Sequence, residues 1–211
     1  MRLFPVLALS LLFAVDAVAQ SPGRVEGSVT LSRALATRRP RLRIYSEAGK
    51  GGTPPSRPAN DLKDEYANVV VYLELDGAGV LATGPSQHPE RPSITQKEQR
   101  FFPHVLPIVL GATVDFPNQD EVFHNVFSLS GPRRFDLPKY PAGSSRGVTF
   151  PRKGVVNVFC HIHADMSAVV LVLDNPYFVT PAEDGRFTLG DIPPGDYLLI
   201  AWHERIKPVR Q

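Results

Sequence analysis

The pattern of hydrophobic and polar positions predicts a chain built almost wholly from β-strands. Residues 25–31 (VEGSVTL) alternate between apolar and polar side chains, which is the period of a strand with one buried face. Residues 68–75 (NVVVYLEL) form a near-continuous run of β-forming apolar side chains. Such a run predicts a central strand with neighbours on both sides. Helical periodicity with caps is absent from the sequence, although residues 59–66 have room for one short turn.

Further β-forming runs continue to the end of the sequence. The first lies at residues 107–116, with a turn at Gly111, and the others are at 125–129, 146–150, 154–160, 167–173, 186–189 and 196–203. The last two runs, RFTL and DYLLIAWH, are separated by Pro-Pro-Gly-Asp, which predicts a closing β-hairpin. We therefore expect an all-β protein.

Composition agrees with a packed globular fold. The 211 residues are 43% hydrophobic and 21% charged, which excludes disorder as the default state. Proline occurs 21 times, about twice the usual ~5%, and this suits a β-protein with stiff loops. The formal net charge of +2 is too small to predict a nucleic-acid surface.

Residues 1–19 have the pattern of a secretory signal peptide. Arg2 precedes an apolar run from Leu3 to Val15, and Ala17-Val18-Ala19 is a small-x-small cleavage sequence. The run spans 13 residues, fewer than the ~20 that a membrane-spanning helix needs. We expect cleavage after Ala19 and a mature periplasmic or secreted protein without a membrane span.

The single cysteine has two explanations in an exported protein. With one Cys no internal disulfide can form, and a lone thiol in an oxidising compartment is a liability unless something occupies it. Metal ligation is one explanation, and deep burial is the other.

The segment VFCHIHADMSAVVLVL favours metal ligation. Cys160 ends a strand, and His163 and Met166 follow at Cys-x-x-His-x-x-Met spacing in a short loop. His124, in FHNVFS, supplies a fourth donor from the start of another predicted strand. One thiolate, two imidazoles and a weak thioether form the ligand set of a copper site. Zinc favours four strong ligands and rarely uses a thioether.

This pattern resembles that of the cupredoxins, the type 1 (blue) copper proteins, and especially their amicyanin- and plastocyanin-like members. The resemblance covers roughly residues 94–173. It includes Gly-x-x-Val-x-Phe-x-Asn at 111–118, His-Asn-Val at 124–126 and aromatic-Cys-x-x-His-x-x-Met-x-x-x-Val-Val at 159–170. It implies a Greek-key β-sandwich with one type 1 copper ion, held by His124, Cys160, His163 and Met166. A redox protein donor and acceptor are the implied partners.

Two neighbours of the expected ligands, Asn125 and His161, can be compared with the family pattern. By position, Asn125 would brace the ligand loop by hydrogen bonding. His161 directly follows Cys160 and departs from the family pattern, as does Ala164-Asp165 in place of a Pro-aromatic pair. Strand alternation predicts that His161 points away from Cys160, beside the site, although it is also a possible competing ligand. His88, His104 and His203 are expected to be surface or structural residues.

The flanking segments resemble carboxypeptidase-regulatory-like (transthyretin-like) β-sandwiches. This predicts a discontinuous module of residues 24–76 and 174–211, with the copper module, 77–173, inserted in it. The alternative is one elongated cupredoxin with terminal extensions. The basic residues within 33–50 are interpreted as a solvated loop.

Three functions use this ligand set: electron transfer, copper delivery or storage, and catalysis at a mononuclear copper site. Four ligands fill the coordination shell and leave no open position for a substrate. A copper-handling protein would more often carry Met-rich tracts, and the chain has two Met in total. Electron transfer without enzymatic activity is therefore the favoured hypothesis.

Overall fold

The computed structural model describes residues 21–32, 62–75 and 91–211. The predicted signal peptide, the basic segment 33–50 and His88 lie outside these residues. The described part contains fifteen strands and one short helix, which confirms the all-β prediction. None of its helices is long and apolar enough to span a bilayer.

The elements follow one another in chain order. They are β1 (Gly23–Ser28), α1 (Leu62–Tyr66), β2 (Val69–Leu75), β3 (Thr95–Lys97), β4 (Arg100–Phe102), β5 (Val105–Val109), β6 (Thr113–Pro117), β7 (Phe127–Ser128), β8 (Phe135–Asp136), β9 (Ser145–Thr149), β10 (Gly154–Phe159), β11 (Ser167–Leu173), β12 (Phe178–Val179), β13 (Arg186–Ile192), β14 (Tyr197–His203) and β15 (Ile206–Arg210).

A five-stranded sheet in the order β5-β11-β10-β7-β8 forms one side of the first core, and we call it the metal-side sheet. Strands β10 and β11 are antiparallel neighbours, while β5 runs parallel to β11. Apolar side chains of this sheet, such as Val158 and Val170, pack against Phe116 of β6 and Phe150, which follows β9. Cys160 and Met166 belong to the same buried cluster.

A four-stranded sheet in the order β12-β2-β14-β15 forms the next layer, and we call it the middle sheet. β2 lies between β12 and β14, which confirms NVVVYLEL as a central strand. Both of its faces are buried: Val71 packs with β13, and Val70 packs with the outer face of β11. This double burial explains why its sequence is a continuous apolar run rather than an alternating one.

The predicted closing hairpin is wrong. β13 pairs with β1, with Val25 opposite Leu189, whereas β14 pairs with β2 and β15. The chain passes from one sheet to the other at Pro193-Pro194, where neither residue has an amide hydrogen to continue a ladder. β14 instead pairs along all seven of its residues with the buried β2.

The four flanking strands nevertheless share one core. Phe187 and Leu189 of β13 pack with Val71 and Leu73 of β2 and with the partly buried Val25 of β1. The side chain of Asn175 donates to the carbonyl of Leu73 at 2.8 Å, so the chain re-enters this layer beside the end of β2. The assignment of residues 24–76 and 174–211 to a separate domain stays a prediction.

A buried polar cluster ties α1 to the β14–β15 turn. The Glu65 carboxylate accepts hydrogen bonds from His203 Nε2 at 2.9 Å and from the Arg205 guanidinium. His203 Nδ1 accepts from the Arg205 amide at 3.2 Å, which fixes the proton of the neutral ring on Nε2. Burial raises the pKa of Glu65, but the hydrogen bonds from His203 and Arg205 outweigh burial and lower it from 4.5 to about 2.

We predict that Glu65 makes folding stability acid-sensitive. A lowered carboxyl pKa contributes stability above the unfolded pKa of 4.5, and the contribution is lost as the pH falls toward 2. Urea unfolding should show the advantage of the wild type over Glu65→Gln shrinking by on the order of 3 kcal/mol between pH 5 and pH 2. The exposed Glu26→Gln is the control. A constant difference between wild type and Glu65→Gln would contradict this role.

Candidate metal centre

Three donor side chains meet at one end of the metal-side sheet. Cys160 follows β10, His163 lies in the β10–β11 turn, and His124 lies between β6 and β7. Cys160 Sγ is 3.8 Å from Nδ1 of His124 and 3.8 Å from Nδ1 of His163. All three donor atoms lie within 4.8 Å of one another. This group can therefore hold a metal ion.

The register of the two strands brings Cys160 and His163 together. β10 and β11 stay paired up to Phe159 and Ser167, so only residues 160–166 form the turn. The Met166 amide donates to the His163 carbonyl at 3.0 Å, and the Cys160 amide donates to the Met166 carbonyl at 3.3 Å. These hydrogen bonds close the turn and fix its backbone, which sets the positions of its side chains.

Met166 is the fourth predicted ligand. Its side chain is buried in the same apolar cluster as Cys160, at the start of β11. Its backbone is bonded to both Cys160 and His163. The structure therefore places Met166 beside Cys160 and His163, and its role as a ligand stays a prediction.

Asp120, which no motif in the sequence singled out, orients His124. His124 Nε2 lies 2.7 Å from Asp120 Oδ2, so Nε2 carries the proton and the lone pair of Nδ1 faces Cys160. The Asp120 carboxylate also accepts from the backbone amides of Glu98 and Gln99. An acidic residue four positions before a candidate ligand was the available signal.

The electrostatics of the site favour a neutral His163 imidazole and an ionised Asp120 carboxylate. Burial raises the pKa of Asp120, but the hydrogen bonds from Gln99, His124 and Glu98 outweigh burial and lower it. Burial, and then the neighbouring His124, lowers the pKa of His163. A neutral imidazole is the form that ligates a metal, so these shifts prepare the site for an ion.

Asn125 and His161 lie beside the donors. The Asn125 side-chain oxygen accepts from the His161 amide at 2.8 Å and lies 3.6 Å from Cys160 Sγ. The His161 ring is exposed and packs on Phe127, with 4.0 Å between ring centroids. His161 is thus outside the donor group, and Asn125 links the loop that carries His124 to the turn that carries Cys160.

No protein-family model and no curated protein matches the chain. Among solved structures, an oxidised single-residue variant of amicyanin is 21% identical over 39% of this chain and 81% of its own, with a TM-score of 0.37. A purple cupredoxin from Nitrosopumilus maritimus is 24% identical over 39% of this chain and 99% of its own, with a TM-score of 0.36.

The chain is similar to cupredoxins. A copper-containing nitrite reductase from Thermus scotoductus is also similar, with 27% identity over 45% of this chain, a quarter (25%) of its own and a TM-score of 0.38. The matched structures thus include members of the family that the sequence motif resembles. Each of these three matches spans less than half of this chain.

We predict that Asp120 strengthens metal binding through His124. Asp120→Ala frees the His124 ring to rotate and to change tautomer, so affinity for copper or cobalt should fall about 10- to 100-fold. Competition titration against a chelator measures the loss, and Asp120→Asn should fall in between. Glu121→Ala, which removes the adjacent exposed carboxylate, is the matched control. Equal affinity in Asp120→Ala and Glu121→Ala would contradict this role.

Proposed function

We propose that this protein is a one-electron carrier with a type 1 copper site held by His124, Cys160, His163 and Met166. The observation that carries the proposal is a buried thiol with the Nδ1 atoms of two imidazoles each 3.8 Å away. When bound, copper supplies a Cu(I)/Cu(II) couple. The hydrogen bonds of Asp120 and Asn125 would hold the donors in one arrangement in both oxidation states. Little rearrangement would then accompany electron transfer.

The donor types support copper over zinc. Thiolate and thioether sulfur suit Cu(I), and imidazole suits Cu(II) as well. A buried Met beside the donors would add little to zinc affinity, because zinc prefers four strong ligands. The tautomer of His124 is fixed by Asp120, and the side-chain oxygen of Asn125 lies beside Cys160 Sγ. Both contacts favour a site that is formed before the ion binds.

Burial of the donors supports electron transfer over copper delivery. His124, Cys160 and Met166 are 0%, 5% and 1% exposed, and His163 is the partly exposed one of the four. Handing an ion to a partner requires several ligands to reach the surface. Handing over an electron requires only one ligand edge near the surface, which His163 provides.

Exposed apolar side chains flank the two histidines in sequence. Phe123, next to His124, is 55% exposed, and Ile162, next to His163, is 46% exposed. An apolar rim of this kind lets a redox protein dock with little desolvation cost. We propose a protein electron donor and a protein acceptor as partners. The predicted signal peptide of residues 1–19 supports a periplasmic or secreted location.

The first test of the function is the colour of the copper-loaded protein. We expect intense blue or green absorption from charge transfer between the Cys160 thiolate and Cu(II). Cys160→Ser should abolish the band. His161→Ala is the matched control, since its ring packs on Phe127 outside the donor group, and it should keep the band. A colourless copper-loaded wild type, or a Cys160→Ser variant that keeps the band, would exclude a type 1 site.

The second test concerns the apolar rim. Electron self-exchange between reduced and oxidised copies requires the His163 edges of two molecules to approach. Ile162→Lys places like charges in that contact, so self-exchange should slow about tenfold at low salt and recover partly at high salt. Val209→Lys, on the exposed strand β15, is the control and should leave the rate unchanged. Equal rates in both variants would argue against docking at this rim.

A further inference from the structure

His104 bridges two sheets through both nitrogens of its ring. Between β4 and β5, its Nδ1 lies 3.0 Å from the carbonyl oxygen of Ser167, the first residue of β11. Its Nε2 lies 2.9 Å from the Glu204 carboxylate in the β14–β15 turn. The His104 carbonyl also accepts from the Val169 amide at 2.7 Å. One residue therefore holds the start of β11 at two points.

The His104 ring takes the hydrogen-bonding position at the Ser167 carbonyl that a longer β5 would use. β5 pairs with β11 only from Val169 onward, whereas β10 pairs with β11 from Ser167. On the β5 side, the Ser167 carbonyl is bonded by the His104 ring instead of by a strand. Both ring nitrogens lie within hydrogen-bond distance of an oxygen, the Ser167 carbonyl at Nδ1 and the Glu204 carboxylate at Nε2. Burial raises the pKa of Glu204, but the hydrogen bond from His104 and the electrostatic effects of His104, His203 and Arg205 together outweigh burial and lower it. The Glu204 carboxylate is therefore ionised, and its bond to His104 is charge-assisted.

The Glu204 end of this bridge is itself fixed. Glu204 stands between His203 and Arg205, and both neighbours bind the buried carboxylate of Glu65. The turn that presents Glu204 is thus anchored in the interior of the middle sheet. Hydrogen bonds at Glu65 and at His104, joined by the backbone of residues 203–205, thus connect the middle sheet to Ser167, the residue after Met166.

We propose that His104 and Glu204 are positioning residues for Met166. By fixing the Ser167 carbonyl, they set how closely the Met166 thioether approaches the metal, and so tune the reduction potential from a sheet that carries no ligand. This inference rests on the proposed copper function. Loosening the bridge weakens electron donation from the Met166 sulfur to the ion. Although a thioether can bind Cu(I), its electron donation stabilises the more positive Cu(II) to a greater extent, so the potential rises when that donation weakens.

Four variants separate positioning from general loosening. His104→Phe removes both ring bonds at similar size, and Glu204→Ala removes only the Nε2 bond. His104→Asn keeps a short donor for the Ser167 carbonyl and should restore part of the effect. Lys153→Ala is the matched control, because it breaks the ion pair to Asp174 (3.0 Å) at the other end of β11.

Two readouts are needed. In the metal-free protein, the Met166 methyl resonance is resolved by labelling, since Met1 is the only other methionine. In the copper-loaded protein, the reduction potential is measured against Met166→Leu, which sets the limit for a lost thioether. We expect His104→Phe to shift the methyl resonance and to raise the Cu(I)/Cu(II) preference threefold to tenfold, tenfold being 59 mV. Glu204→Ala should give a smaller shift in the same direction.

The outcomes distinguish this inference from the function on which it rests. A blue wild type whose methyl resonance and potential are unchanged in His104→Phe and Glu204→Ala overturns the positioning role alone. Equal changes in Lys153→Ala overturn it as well, since any loosening of β11 would then suffice. A wild type without the charge-transfer band overturns the copper function and the inference together. Thermal unfolding of each metal-free variant verifies that it is folded.

Discussion

The close approach of a buried thiol and two imidazoles is the constraint on which the rest of the site depends. Their donor atoms lie within 4.8 Å of one another. Burying polar atoms costs free energy unless hydrogen bonds or a bound ion replace the water that they lose. The short turn of residues 160–166 supplies two donors from one continuous ladder. His124 comes from a separate loop. Its ring is bonded to the carboxylate of Asp120, and the side-chain oxygen of the next residue, Asn125, accepts from the His161 amide and so ties this loop to the turn.

The two histidines are held differently, and the difference suits an electron carrier. His124 is fully buried, and its outer nitrogen is bonded to Asp120. His163 sits in the turn and reaches the surface between exposed neighbours such as Ile162. A buried, anchored ligand resists rearrangement, while an exposed ligand edge gives a partner access. Both requirements apply to electron transfer, whereas delivery of the ion would need the anchored side to open.

Local features were predictable from sequence, and features that depend on distant pairing were not. Cys160 and His163 could be placed together because only two residues separate them after a strand, and β2 could be placed centrally from its apolar run. The role of Asp120 depends on the path of a loop. The false hairpin arose because RFTL and DYLLIAWH are adjacent in sequence, while β13 finds its partner in β1. Strands of two or three residues, such as β8 and β12, are too short to show a period.

The layering has a consequence for the metal loop. β11 begins directly after Met166 and is buried on both faces: Val170 packs in the metal-side core, while Leu171 packs against Trp202 and other side chains of the middle sheet. Each fully buried apolar side chain of this kind contributes about 1.5–3 kcal/mol. Movement of β11 would disturb both cores at once, so the middle sheet restrains Met166 even though it supplies no donor. The continuous apolar sequence SAVVLVL follows from this double burial, since an alternating strand would place polar groups against one of the two cores.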